Sequence, residues 1–121
     1  MANDGATVLV VDDDPSIRDF VEAALEEEGY GVLSAADGQA ALKLVGRQPC
    51  AVLLDMRMPV LDGWGFAAAY RQRPGARAPI VVMTAAENAA AWAEEIGAQG
   101  VLAKPFRLDD LLAIVARHCG R

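Results

Sequence analysis

Three short stretches of the chain are apolar almost without interruption. They are Thr7–Val11 (TVLVV), Ala51–Asp55 (AVLLD) and Pro79–Thr84 (PIVVMT). Each is rich in branched aliphatic residues, and each reads as a strand buried on both faces. Two weaker stretches, Tyr30–Ala35 and Gly100–Pro105, read as strands that tolerate polar residues. Helical spacing fills the gaps. From Pro15 to about Glu28, residues Ile17, Phe20, Val21, Ala24 and Leu25 recur at i, i+3, i+4, i+7 and i+8. Pro15 suits the first helical position and Gly29 the stop. Asp37 predicts the cap of a short helix from Gly38 to about Val45. Further helices are predicted over Gly63–Arg71, Asn88–Ile96 and Leu108 to about His118. The last places Leu108, Leu111, Leu112 and Val115 on one face.

Strand and helix therefore alternate five times. Such a (βα)5 pattern implies parallel pairing through right-handed crossovers, in a doubly wound α/β three-layer sandwich. The fully apolar first, third and fourth strands belong in the middle of the sheet and the weaker second and fifth at its edges. The order 2-1-3-4-5 meets that condition.

A length of 121 residues suits one domain, 1–121. With 54% hydrophobic and 23% charged residues, the composition is that of a globular protein. No apolar run approaches the ~20 residues that cross a bilayer. The start, MANDGA, lacks the basic and apolar regions of a leader, so a cytoplasmic location is expected, with no membrane partner. A net charge of −6 argues against direct nucleic-acid binding. Cys50 and Cys119 match no metal or CxxC pattern and are expected to be free thiols in a reducing compartment.

Ligands of doubly wound sheets bind beyond the carboxyl ends of the strands. Here those ends carry Asp12 and Asp13 (first strand), Asp55 (third), Thr84 (fourth) and Lys104 (fifth). Taken singly, each reads as a cap, loop or surface residue. Taken together, three carboxylates ask for a hard divalent cation such as Mg²⁺, with Mn²⁺ as a substitute. The hydroxyl and ammonium suit a phosphoryl group beside it. A carboxylate can act as nucleophile toward phosphorus, so the set reads as a metal-dependent aspartate phosphorylation site. Asp14, just before Pro15, is better placed to cap the first helix.

Four motifs in order carry a resemblance over essentially the whole chain: VLVVDDDPSIR, AVLLDMRMPVLDGWGF, PIVVMTA and GAQGVLAKPF. They resemble the response-regulator receiver domain of two-component signalling, which has a flavodoxin-like (CheY-like) fold. The resemblance implies that Asp55 is the phosphorylated nucleophile, with Thr84 and Lys104 completing the catalytic set. It implies that Asp13 binds Mg²⁺ directly, that Asp12 assists through water, and that the Arg57 backbone carbonyl completes the ligands with Asp55. Thr84 would donate to the phosphoryl group and Lys104 would pair with Asp55. The Lys104–Pro105 bond would be cis, and Pro59 and Gly63 would shape the loop after Asp55. The implied donor is a sensor histidine kinase or a histidine phosphotransfer protein. The implied output is altered docking of a downstream protein on the helix 4–strand 5–helix 5 face, after the loop between strand 4 and helix 4 moves. The molecule would be a monomer or weak dimer, not a turnover enzyme.

Two features depart from the resemblance. Val101 stands where many receivers place a switching aromatic, and the span from Thr84 to Lys104 is about two residues short. A short, shifted or poorly ordered fourth helix is the expected result. These features motivate the alternative of a receiver-like binding module that works without phosphorylation. A haloacid-dehalogenase-like phosphatase is disfavoured, because Arg57 occupies the position of its acid/base carboxylate.

Overall fold

The structure is a computed structural model, and it describes residues 6–119. The predicted leaderless start falls mostly outside that range. Five strands, β1 (Thr7–Val11), β2 (Gly31–Ala35), β3 (Ala51–Asp55), β4 (Ile80–Ala85) and β5 (Gly100–Lys104), form one parallel sheet ordered β2-β1-β3-β4-β5. Five α-helices cover it: α1 (Pro15–Glu27), α2 (Gly38–Leu42), α3 (Gly63–Arg71), α4 (Ala86–Ile96) and α5 (Leu108–His118). The expected order and the edge positions of β2 and β5 are both observed.

Alternation along the strands divides the core in two. Leu9, Val11, Val52, Leu54, Ile80 and Val82 point to one face, where Phe66, Tyr70, Ala93 and Ile96 of α3 and α4 pack on them. Val8, Val10, Leu53, Val81, Met83 and Leu102 point to the other, under Val21 and Leu25 of α1 and Leu111 and Val115 of α5. The helix faces are narrower than the spacing predicts. Phe20 and Leu108 remain largely exposed, because they sit on the shoulders of their helices. The Phe20 ring meets that of Phe106 at 6.1 Å instead of entering the core.

Local rules set most of the helix starts. Asp14 caps α1, its Oδ1 accepting from the Ser16 N–H at 2.8 Å. Asp37 and Asp62 cap α2 and α3 in the same way, through the N–H groups of Ala40 and Gly65. The Asp62 cap was readable from sequence, since an Asp directly precedes the helix. The helix α2 is shorter than predicted. It stops at Leu42, and a 3₁₀ turn over Val45–Arg47 ends on Gln48 with φ of 56°. The fourth helix is neither short nor disordered. It starts two residues earlier than predicted, and β4 passes into α4 through Ala85 alone. The missing residues have come out of the connection, so the expected mobile loop between strand 4 and helix 4 is absent.

The cysteine expectation is overturned. Cys50 and Cys119 form a disulfide, with their Cα atoms 5.3 Å apart. The residues are 69 apart in sequence, but α5 runs antiparallel to the strands and returns its C-terminus to the start of β3. Sequence spacing carries no trace of that juxtaposition.

Candidate functional site

The carboxyl ends of β1, β3, β4 and β5 bring the expected side chains together. Val11 pairs in register with Leu54, so Asp12 emerges beside Asp55. Asp55 pairs with Met83, and Ala85 with Lys104, which sets Thr84 and Lys104 on the neighbouring strand ends. Asp12, Asp55 and Thr84 are the buried polar residues of the described chain. Asp13 is exposed at the rim.

Asp12 is fully buried and fully engaged. Its Oδ1 accepts from the Asp14 N–H at 2.9 Å, and its Oδ2 accepts from Lys104 Nζ at 2.7 Å. Lys104 lies farther, at 3.7 Å, from Asp55 Oδ1. Its tighter partner is thus Asp12, while the expected pairing with Asp55 is the looser of the two. Asp55 Oδ1 also accepts from the Met56 N–H at 2.9 Å. Burial, reinforced by the Asp12 charge, pushes the Asp55 carboxyl up from 3.8 to about 6, against the opposing pull of Lys104 and the Met56 N–H.

Carboxylate oxygens of Asp12, Asp13 and Asp55 lie within 4.8 Å of one another. Such a set, all oxygen and electrostatically costly by itself, fits a hard divalent cation. These three residues could hold one.

The loop after β3 is tightly built. Gly63 lies so close to β3 that a Cβ would come within 2.6 Å of Met56 Sδ and 2.9 Å of the Asp55 carbonyl oxygen. Its N–H donates to the Met56 carbonyl at 2.9 Å. Val60, directly after Pro59, adopts φ of 70° and projects into solvent. The Lys104–Pro105 bond is cis, as expected. Val101 is exposed on β5.

Two side chains beside the site, Trp64 and Arg57, reach across to α4. Trp64 packs against the core, and it meets Trp92 of α4 edge-on at 4.9 Å. Its indole N–H donates to Glu95 Oε1 at 2.8 Å. The Arg57 guanidinium lies over the Trp92 ring, 5.0 Å from its centroid. Long-range partners of this kind leave no signal in local spacing.

The comparisons agree with this geometry. The family model described as the response regulator receiver domain matches residues 8–116. The chain is 40% identical over 109 residues to the response regulator MprA of Mycolicibacterium vanbaalenii, covering 88% of this chain and 47% of that protein. It is 39% identical to the probable transcriptional regulator ycf27 of Porphyridium aerugineum, covering 88% and 45%. It thus spans less than half the length of either relative. Among solved structures, the receiver domain of the sensor histidine kinase PA1611 from Pseudomonas aeruginosa, which has a magnesium ion in its active site cleft, superposes with a TM-score of 0.87. That match has 35% identity and covers 97% of this chain and 99% of the other. The chemotaxis response regulator CheY4 of Vibrio cholerae superposes with a TM-score of 0.82 at 36% identity, covering 93% and 97%. With sheet order, acidic cluster and motif sequence in agreement, this chain belongs to the response regulator receiver domain family of two-component signalling.

Proposed function

We propose that the chain accepts one phosphoryl group on Asp55 from a phosphohistidine of a sensor kinase or phosphotransfer protein, in a reaction that needs Mg²⁺. The observation that carries this reading is the convergence of three carboxylates, whose oxygens lie within 4.8 Å of one another, two of them also paired with Lys104. A carboxyl that titrates near 6 is mostly ionised at neutral pH and available as a nucleophile. Its oxygen attacks phosphorus, the phosphorus–nitrogen bond breaks, and the imidazole leaves with a proton from solvent. Lys104 places an ammonium beside the developing charge. Thr84, buried at the end of β4, donates its hydroxyl to a phosphoryl oxygen. In this reading Asp13, Asp55 and the Arg57 carbonyl would ligate the metal directly, and Asp12 would assist through water. A bound divalent cation supplies positive charge across the carboxylates and the phosphoryl oxygens. The magnesium ion of the PA1611 receiver supports that assignment by likeness.

Phosphorylation adds up to about two negative charges in place of one. Thr84 and Lys104 follow them, and the α4–β5–α5 face changes its preference among partner proteins. A groove of about 600 Å³ lined by Val101, Pro105, Asp110, Ala113, Ile114 and Arg117 lies on this face. In this reading the chain works in the cytoplasm beside its kinase, where the Cys50–Cys119 disulfide would be exposed to reduction.

Incubation with Mg²⁺ and acetyl phosphate is expected to add the mass of one phosphoryl group to the wild type and none to Asp55→Asn. No gain on the wild type overturns the reading. The loopless β4–α4 junction and Val101 favour a second reading, a module that binds its partner without phosphorylation. That reading gains if the wild type takes no phosphoryl group and its melting temperature ignores Mg²⁺.

A further inference from the structure

Arg57 has two assignments, one for its backbone carbonyl and one for its side chain. Its carbonyl is placed among the metal ligands, while its exposed side chain turns onto α4, over Trp92. No ion pair joins Arg57 to a carboxylate among the described residues, although Asp55 of the acidic cluster lies two residues before it in the chain. An unpaired guanidinium two residues from Asp55 would ordinarily lean toward that negative charge. Here the indole holds it elsewhere. The indole is itself held, edge-on against Trp64, whose N–H is tied to Glu95 one turn of α4 away. The set joins the loop after β3, the first turn of α3 and the middle of α4.

We propose that Trp92 is a positioning residue for the metal site, acting through Arg57. By keeping the guanidinium over its ring, it keeps a competing cation away from Asp12, Asp13 and Asp55. The inference rests on the metal-binding reading above and adds a residue of α4 to its control. Coupling runs both ways: whatever draws Arg57 toward the carboxylates also releases α4 from the loop.

The test is a double-mutant cycle read by isothermal titration of metal-free protein with MgCl₂ at low ionic strength. Trp92→Ala frees Arg57 and is expected to weaken Mg²⁺ binding about two- to fivefold, the range of an exposed cation–π contact. In an Arg57→Ala background, the same Trp92 substitution should leave the Mg²⁺ affinity unchanged. Trp92→Phe keeps a ring under the guanidinium and is expected to restore most of the affinity. If Trp92→Ala fails to fold, the comparison of Trp92→Phe with Trp92→Leu gives the same contrast. A loss of equal size with and without Arg57 would mean that the ring merely stabilises α4, and would overturn the proposal. So would unchanged affinity in Trp92→Ala. A wild type that shows no Mg²⁺ binding sensitive to Asp13→Asn would overturn the metal reading itself, which separates the two failures.

Discussion

Asp55 offers a measurement in which the energetics of the site can be read without any phosphodonor. Its carboxyl titrates near 6 in the folded chain against an ordinary 3.8, chiefly because it is buried and secondly because Asp12 is beside it. A raised carboxyl pKa means that the folded state holds the proton more tightly than the unfolded state does. Stability is therefore fully retained below about pH 4, declines as pH rises toward 6, and levels off above that. At about 1.4 kcal/mol per pH unit, the ionised Asp55 costs the metal-free fold about 3 kcal/mol at neutral pH. Asp55→Asn removes the charge and leaves an oxygen to accept from the Met56 N–H. Lys104 keeps its closer partner, Asp12. In EDTA at about pH 7.5, the variant should be more stable than the wild type by about 3 kcal/mol by denaturant unfolding, and the gap should shrink below about 1 kcal/mol near pH 4. Saturating Mg²⁺ should narrow the gap at pH 7.5, since the ligand favours the folded wild type. A variant no more stable than the wild type at pH 7.5, or a gap that ignores pH, would refute the reasoning.

Three further outcomes are expected. Reduction of Cys50–Cys119, or Cys119→Ser, opens a loop spanning 69 positions and should cost roughly 4 kcal/mol by the loop-entropy argument, lowering the melting temperature in dithiothreitol but not in its absence for the wild type. Two titratable thiols in the untreated, denatured protein would contradict the pairing. Gly63→Ala forces a methyl group into Met56 and the Asp55 carbonyl, so it should cost about 1–3 kcal/mol and weaken Mg²⁺ binding as well, both readable by thermal melts with and without the metal. Asp14→Ala should cost about 1 kcal/mol through the lost α1 cap while leaving phosphorylation by acetyl phosphate at the wild-type level. A loss of phosphorylation there would place Asp14 in the site with its two neighbours.

The acidic run at residues 12–14 shows how far sequence logic reaches. Strand polarity, the pattern of apolar runs and the Asp–Pro helix start were enough to assign Asp14 to the cap and to send Asp12 toward the crevice, because each depends on neighbours within a few residues. The same local logic located Asp55, Thr84 and Lys104 at strand ends, since a parallel sheet aligns all its carboxyl ends. It could not foresee that Lys104 reaches past β4 and β3 to grip Asp12 more closely than Asp55. That choice depends on sheet twist and on the depth of each carboxylate. Nor could it foresee the disulfide, the Arg57–Trp92–Trp64 stack or the early start of α4. Each depends on where a distant helix lies, and helix placement is settled by packing against both faces of the sheet.

The direct passage from β4 to α4 has a mechanical consequence. With Ala85 as the whole connection, α4 is a lever pivoting next to Thr84. Its 11 residues give an arm of about 16 Å at about 1.5 Å per residue. A tilt of roughly 10° at the pivot would carry the far end about 3 Å, and Trp92, near the middle, about half as far. That far end is held by Arg71 of α3, which donates to the carbonyls of Ile96 and Gly97. A displacement of 3 Å exceeds the reach of those bonds. Arg71 would therefore resist any such swing at the end of the helix away from Thr84, alongside the Trp64–Glu95 bond nearby.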